Sequence, residues 1–262
     1  MTGNETDLSG VRVERDGPVV TVFLDRPDRL NAQTPYTWAA LREAGRSLPD
    51  DVRVVVVRGA GRSFSAGLDR AAFTPGGIPG VPALPELAAM SREQGDATLR
   101  TYQEAFNWLR RPDIISVAAV QGHAIGAGFQ LALACDLRVL ADDAQLSMAE
   151  STYGLVPDLA GTAPLVAAVG YSRALELCVT ARRVGATEAR ELGLATVVVP
   201  REELDGAVAD LVAAVLTPLP NAVTEIKALL LGAADRSREE QEAAERAAQL
   251  RRFADLRGLD RG

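Results

Sequence analysis

The sequence has few of the residues on which metal and disulfide sites depend. It contains one histidine, His123, and two cysteines, Cys135 and Cys178. A single histidine argues against a histidine-rich metal site, and any Ser-His-Asp triad would have to use that one residue. Two cysteines are too few for a disulfide scaffold, and they lack metal-ligand spacing. Acid–base chemistry must therefore come mainly from carboxylates, lysine or tyrosine.

Basic charge and long apolar runs are also scarce. Lysine and arginine number 28 against 35 acidic residues, so the net charge is −7. This balance is unfavourable for binding nucleic acid or an anionic membrane. The longest apolar stretches, near 114–120 and 129–137, are too short to span a bilayer, and the polar N-terminus resembles no signal or transit peptide. We expect a cytoplasmic protein with no nucleic-acid or membrane partner.

The remaining composition is that of a globular protein, with 47% apolar and 24% charged residues. Strand patterns alternate with helix patterns, which predicts an α/β fold with a mainly parallel sheet. We expect an α/β core over residues 1–200 and a helical region over 201–262. The predicted strands cover 11–14, 19–24, 52–58, 114–120, 137–141 and 195–199. The predicted helices cover 35–48, 86–109, 129–135, 172–182, 187–193, 203–216, 219–232 and 237–257.

Residues 74–85 contain four prolines and three glycines. This composition predicts a loop, and its length is typical of a lid or a mobile segment. A disordered surface excursion is the alternative.

Two of the predicted strands end in glycine-containing turns, at 59–69 and 122–128. The first backbone N–H groups of a helix have no partner within the helix, so two such turns side by side could donate to one oxygen atom. Tight packing of strand against helix is the alternative for each turn. The second turn lacks the third glycine of a dinucleotide fingerprint, and the chain has no P-loop motif. His123 lies in this turn, where we expect it to form structural hydrogen bonds.

Several motifs carry a family resemblance. Residues 24–32 (LDRPDRLNA) resemble an R-P-x-x-x-N-A segment, and residues 62–69 (RSFSAGLD) resemble F-x-A-G-x-D. Residues 120–136 (VQGHAIGAGFQLALACD) resemble a G-x-x-x-G-x-G-x-x-L-x-x-x-C-D segment, and 154–158 and 189–194 match as well. In this order and at this spacing, the motifs resemble the enoyl-CoA hydratase/isomerase (crotonase) superfamily, from about residue 11 to 257.

The resemblance implies a fold, an assembly and a substrate class. The fold would be a crotonase-like spiral of ββα units with a helical C-terminal trimerisation region, assembled as a homotrimer or a dimer of trimers. The substrate would be an acyl-CoA thioester whose carbonyl oxygen accepts from the backbone N–H groups of Leu68 and Ala127. The resemblance implies no metal and no redox cofactor, and coenzyme A would enter only as part of the substrate.

The acid–base residues depart from the family's hydratases. The position of one family glutamate, three residues after the second oxyanion donor, holds Gln130, and an amide cannot exchange a proton at neutral pH. The second family glutamate matches Glu150. Asp158 matches an aspartate of isomerase members, including dienoyl-CoA isomerases. A solvated charge for Glu150 and a turn or helix-cap role for Asp158 are the alternatives.

Further residues are assigned by position in the motifs. Arg26, Arg29, Ala66 and Lys227 match places near coenzyme A in the family. We interpret Asp69 and Asp136 as structural caps, and Asn31 as a brace of its own loop. On the last predicted helix, an apolar stripe should be buried against the core or a neighbouring chain. The stripe consists of Ala243, Ala247, Leu250 and Ala254.

The function expected from these residues is isomerisation of an enoyl- or dienoyl-CoA by Asp158, Glu150 or both. One alternative is an enoyl-CoA hydratase in which Glu150 works alone and Gln130 positions water. The other alternative is a non-catalytic acyl-CoA-binding protein. We expect the neighbours Leu155, Val156 and Leu159 to form an apolar pocket that raises the pKa of Asp158.

Overall fold

The computed structural model describes residues 8–259, and in that range nine strands form two sheets. The strands are β1 (Val11–Asp16), β2 (Val19–Leu24), β3 (Val54–Gly59), β4 (Ile115–Val120), β5 (His123–Ile125), β6 (Leu137–Ala141), β7 (Gln145–Ser147), β8 (Val184–Gly185) and β9 (Val197–Val199). The larger sheet has the order β1-β2-β3-β4-β6-β9, and the smaller sheet has the order β5-β7-β8. In the larger sheet only β1 runs antiparallel to its neighbour, which agrees with the predicted parallel α/β fold.

The helices connect the strands and then fill the C-terminal region. They are α1 (Pro35–Arg46), α2 (Leu84–Ala88), α3 (Arg92–Asn107), α4 (Ala127–Ala134), α5 (Thr162–Val169), α6 (Tyr171–Thr180), α7 (Ala186–Glu191), α8 (Leu204–Leu216), α9 (Pro220–Gly232) and α10 (Arg238–Leu259). Helix α1 begins where Thr34 caps the Thr37 N–H and Pro35 occupies the first turn, a position that tolerates the missing N–H of proline.

The side chains of β3 are buried on both faces of the larger sheet. The run of valines in β3 is fully buried, and successive side chains point to opposite faces of a strand. Val55 and Val57 join a large core that includes side chains of α1, α3 and α4. Val54 and Val56 join a second core, which α8 closes with Leu204 and Val208.

The sheet order places the two glycine turns together. Strands β3 and β4 are parallel neighbours, so the segments that follow them leave the same edge of the sheet. Backbone hydrogen bonds then join the two segments: Phe64 N–H donates to Gln121 O, Ser65 N–H to His123 O, and Ile125 N–H to Ser65 O, over 2.7, 2.7 and 3.0 Å. Two stretches about sixty residues apart in sequence thus form one rigid edge.

Some predicted elements were wrong or missing. The single helix predicted over 86–109 is interrupted, because Ser91 caps the start of α3 through a reciprocal pair of bonds with Gln94. The three short strands of the smaller sheet and helix α5 were not predicted. Two- and three-residue strands carry too short a periodic pattern to identify from sequence.

The stripe on the last helix is not covered by its own chain. The buried residue of α10 is Ala248, whereas Ala243, Ala247, Leu250 and Ala254 are exposed. The expectation that the chain's own core buries this stripe is therefore wrong. A neighbouring chain remains a prediction.

Within residues 8–259, no single helix is both long and apolar enough to cross a membrane. The segments Arg201–Leu216 and Pro220–Gly232 meet those criteria only when taken together, and the chain bends by 101° between them.

Candidate active site

A cavity of about 790 Å³ opens beside the joined glycine turns. Its wall combines the two turns, parts of α1, α2, α3 and α4, and the segment from Ala149 to Leu159. Apolar side chains dominate the wall, and Glu150 and Asp158 are among its residues. The apolar side chains include those of Pro35, Trp38, Phe73, Pro82, Leu84, Leu87, Leu99, Leu155, Val156 and Leu159.

The N–H groups of Leu68 and Ala127 meet at this wall. Neither group donates to an acceptor among the described residues, and both residues line the cavity. A Cβ atom added at Gly67 would lie 3.6 Å from Ala127 N but only 2.4 Å from Ile125 O, so the two turns approach too closely for a side chain there. Gly67 and Gly126 also have φ of +87° and +51°, which favours glycine. The structure thus brings Leu68 and Ala127 to the wall of one cavity, and their role as donors to a substrate oxygen stays a prediction.

Glu150 lies against the second glycine turn. A Cβ atom at Gly126 would be 3.3 Å from Glu150 Oε1, so the carboxylate is adjacent to the turn that presents Ala127 N–H. Glu150 Oε2 is buried and has no hydrogen-bond partner within the described chain. Burial raises the pKa of Glu150 above its ordinary value, and hydrogen bonds from its own backbone and from Gln130 offset part of that rise. A solvated surface charge is therefore the wrong interpretation of this residue.

Gln130 is 1% exposed, and both ends of its amide form hydrogen bonds. Its Nε2 donates to Glu150 Oε1 over 2.7 Å. Its Oε1 accepts from Leu159 N–H over 2.9 Å and from Gly161 N–H over 3.3 Å. A carbonyl oxygen has two lone pairs, so no acceptor position is left to hold a water molecule.

Two glutamine side chains form hydrogen bonds with the backbone of the loop that carries Asp158. Gln103 Nε2 donates to the Asp158 carbonyl oxygen over 2.9 Å, and Gln130 accepts from the next residue. Burial raises the pKa of Asp158, in the direction the sequence predicted. The predicted apolar pocket is only partly right, because Leu159 is buried whereas Val156 is 71% exposed.

The residues predicted to bind coenzyme A separate into two pairs. Arg29 and Ala66 line the cavity. Arg26 instead donates to Asp69 and to the Ala32 carbonyl oxygen. Lys227 is 5% exposed and donates to Asp136 and to Ile114 O, each over 2.7 Å, so its ammonium group is not available to a phosphate.

Asn31, Asp69 and Asp136, which the sequence indicates as structural, form hydrogen bonds with neighbouring backbone groups. Asn31 Nδ2 donates to Ala60 O and Ser63 O, over 2.9 and 2.8 Å, which braces the first turn as predicted. Asp69 accepts from Ala71 N–H, and Asp136 accepts from the backbone and hydroxyl groups of Ser116. His123 lies 3.2 Å from the Ser63 hydroxyl through Nδ1, although its side chain also lines the cavity.

Sequence reasoning missed several wall residues. Tyr102 lines the cavity and packs on Trp38 with a ring-centroid distance of 4.7 Å. Burial, and then the nearby charge of Asp158, raise the pKa of Tyr102. The rings of Phe73 and Tyr153, 5.2 Å apart, link two sides of the wall. A helical spacing of apolar residues identifies α3, but no local signal tells a cavity-facing tyrosine from a core one.

The 74–85 segment is folded onto the body of the protein rather than extended from it. Ile78 is buried, the Tyr36 hydroxyl donates to Pro79 O over 2.6 Å, and Pro82 and Leu84 reach the cavity. The loop prediction is confirmed up to residue 83, and the alternative of a disordered excursion is wrong.

Among residues 8–259, no three histidine, cysteine, aspartate or glutamate side chains lie close enough together to hold a metal ion.

The chain is similar to known proteins in both sequence and structure. The sequence profile of the enoyl-CoA hydratase/isomerase family matches residues 14–257. A peroxisomal Delta(3,5)-Delta(2,4)-dienoyl-CoA isomerase of Arabidopsis thaliana is 33% identical over 235 residues, which cover 88% of this chain and 82% of the relative. A carnitinyl-CoA dehydratase of Salmonella arizonae is 33% identical over 246 residues, covering 93% and 88%.

A solved structure is closer in sequence. It is that of a protein assigned as an enoyl-CoA hydratase of Thermobifida fusca YX, in complex with acetoacetyl-CoA. It superposes with a TM-score of 0.91 at 49% identity, covering 94% of this chain and 96% of that one.

Proposed function

Because the chain belongs to the enoyl-CoA hydratase/isomerase family, we propose that it is an enoyl- or dienoyl-CoA isomerase. The substrate is an acyl-CoA thioester with a double bond one position removed from conjugation with the carbonyl group. Relatives of both the isomerase and the hydratase kind match the chain, so the choice between them rests on the residues of the cavity.

The thioester oxygen is placed between Leu68 N–H and Ala127 N–H. Removing a proton from the carbon next to a thioester makes an enolate, whose negative charge develops on this oxygen. Two fixed donors stabilise that charge without reorganising, and one such donor is typically worth about 2.7–4 kcal/mol. The free state of both N–H groups in the described chain supports this role.

The carboxylates move the proton. In a 3-enoyl-CoA, an ionised carboxylate takes a proton from C2, the C3–C4 double bond shifts to C2–C3, and a carboxylic acid returns a proton to C4. No atom is gained or lost, so no water, metal or redox partner is required. The unpartnered Oε2 of Glu150 and the half-buried carboxyl of Asp158 are the groups that can do this. Raised carboxyl pKa values suit both steps, since a proton must be accepted and then returned near neutral pH.

The occupied amide oxygen of Gln130, at a position where a proton-exchanging carboxylate is absent, is the observation that favours isomerisation over hydration. Hydration needs a water molecule held and deprotonated at C3 while C2 receives a proton. Gln130 cannot take a proton, and its oxygen already accepts two backbone N–H groups. A hydratase built here would therefore have Glu150 alone to orient and activate water.

Coenzyme A enters as part of the substrate in this proposal. Arg29 and Ala66, at the cavity wall, are placed to contact it, and arginine suits phosphate groups. The exposed apolar stripe of α10 supports assembly as a homotrimer or a dimer of trimers.

A screen of 2-enoyl-, 3-enoyl- and dienoyl-CoA thioesters tests the proposal, with titration calorimetry on the same compounds. We expect 3-enoyl- or dienoyl-CoA to be isomerised, and crotonyl-CoA to be hydrated slowly. Fast hydration without isomerisation would identify a hydratase. Tight binding with no turnover on any thioester would identify an acyl-CoA-binding protein.

A further inference from the structure

The peptide unit that follows Asp158 is held at both of its edges by glutamines from two different helices. Gln103 of α3 donates to the Asp158 carbonyl oxygen, and Gln130 of α4 accepts from Leu159 N–H, both over 2.9 Å. The oxygen and the N–H belong to one planar group. Clamping that plane fixes the position of the Asp158 Cα atom and restrains the backbone rotation beside it, which limits where the carboxyl group can lie.

The helix that supplies Gln103 is also a wall of the cavity. Leu99, Tyr102, Gln103 and Phe106 have the spacing of one helix face. Phe106 is fully buried, and Leu99 and Tyr102, four residues and one residue before Gln103, line the cavity. Gln103 itself is not part of the cavity wall, so its effect on a bound substrate must pass through Asp158.

Helix α3 is anchored to the core mainly at its C-terminal end. Its two buried residues, Ala105 and Phe106, lie in the last turn, whereas Leu99 is 38% exposed. An acyl group packed on Leu99 and on the cavity-facing part of Tyr102 would bury apolar surface of α3 that lines the cavity. Such burial is favourable and would favour one position of the helix.

We infer that Gln103 is a positioning residue, through which the packing of the acyl group on α3 sets the orientation of Asp158. An acyl group long enough to reach Leu99 and Tyr102 holds α3, Gln103 transmits that position to the Asp158 peptide, and proton transfer accelerates. A short acyl group leaves α3 without this contact. The inference rests on the proposed isomerase function and adds to it a preference for longer, apolar acyl groups.

Steady-state kinetics with 3-hexenoyl-CoA and 3-decenoyl-CoA test it, using the ratio of the two kcat values. A misplacement of about 1 Å can cost about 10²-fold in rate. We expect wild type to favour the longer substrate, and Gln103→Met to lose about 10–10²-fold in kcat on 3-decenoyl-CoA but less than about threefold on 3-hexenoyl-CoA. KM for the longer substrate should change little, because Leu99 and Tyr102 remain.

Arg100→Met is the matched control, since it lies on the same helix with a side chain 73% exposed and outside the cavity wall. It should keep the wild-type ratio. Leu99→Ala tests the same link from the substrate side: it should lower kcat on 3-decenoyl-CoA more than on 3-hexenoyl-CoA, and this readout does not require Gln103→Met to fold. In a double-mutant cycle on 3-decenoyl-CoA, the two losses should overlap rather than multiply, because both interrupt one path.

A wild-type ratio near one, an unchanged ratio in Gln103→Met, or losses that multiply in the cycle would overturn the inference while leaving the isomerase function intact. Absence of isomerisation by wild type on either substrate would instead overturn the proposed function. The two failures are therefore distinguishable.

Discussion

Gln130 Nε2 donates to Glu150 Oε1 over 2.7 Å, and the oxygen of the same side chain accepts from the loop that carries Asp158. One buried amide thus connects the Glu150 carboxylate to the backbone of the loop that carries Asp158. An amide in this position can donate to an ionised Glu150, whereas a second carboxylate would repel it. We therefore expect substitutions of Gln130, Glu150 and Asp158 to change the acid–base behaviour of the cavity.

Replacing Asp158 by asparagine should reduce isomerase activity about 10²–10⁴-fold, the usual contribution of a general acid or base. Glu150→Gln should lose a comparable or smaller amount. Initial rates on the best 3-enoyl- or dienoyl-CoA substrate measure both. Full activity in a folded Asp158→Asn variant would remove Asp158 from the mechanism.

Replacing Ala127 by proline should cut turnover about 10²–10³-fold, because it removes one N–H donor from the thioester oxygen. Ala127 is the first residue of α4, where a helix tolerates proline. Leu68→Pro removes the other donor and should act similarly. Circular dichroism must show that each variant is folded, and normal turnover in a folded variant would refute the assignment of the oxyanion site.

Wild type should hydrate crotonyl-CoA poorly, and Gln130→Glu should improve that hydration. A carboxylate there keeps acceptors for Leu159 and Gly161 N–H, and it adds a second proton-exchanging group beside Glu150. The two carboxyl groups would share a proton, so the acid limb of the rate profile should move to higher pH. Fast hydration by wild type that survives Asp158→Asn would leave Glu150 as a lone hydratase base.

Asp158→Asn should raise thermal stability while it lowers activity. Burial raises the pKa of Asp158, so the folded chain binds more protons than the unfolded chain between the ordinary value of about 4 and the raised value. Stability then falls as pH rises through that window, and a neutral amide avoids the loss. Calorimetry should show a larger gain in Tm at pH 8 than at pH 4, by about 2–4 °C for each kcal/mol recovered. An equal gain at both pH values would contradict the linkage.

The chain should form a trimer or hexamer in solution. Leu230 of α9 and Leu250 and Phe253 of α10 are exposed apolar side chains of the C-terminal helices. Burying such surface against a second copy is favourable, and Leu230→Glu combined with Phe253→Glu should dissociate the assembly. Light scattering measures both forms, and a monomeric wild type at working concentration would refute this prediction.

The parallel α/β fold and the two glycine turns could be predicted from sequence because each depends on local chemistry, whereas the oxyanion role of Leu68 and Ala127 rests on the family resemblance and stays a prediction. The valine run of β3 and the glycines at 67 and 126 impose their conformations on the chain wherever it folds. The break before α3 was also present as a Ser91–Gln94 capping pair, but a continuous helix pattern masked it.

The partners of charged and amide groups were decided only by the tertiary structure. Lys227 pairs with Asp136 across 91 residues of sequence, and Arg26 with Asp69 across 43, so neither lysine nor arginine revealed whether it would meet a carboxylate or a phosphate. The amide of Gln130 likewise gave no sign that it would join Glu150 to the Asp158 loop. Hydrogen bonds form between groups that packing brings within about 3 Å, and that proximity follows from the path of the whole chain rather than from its local pattern.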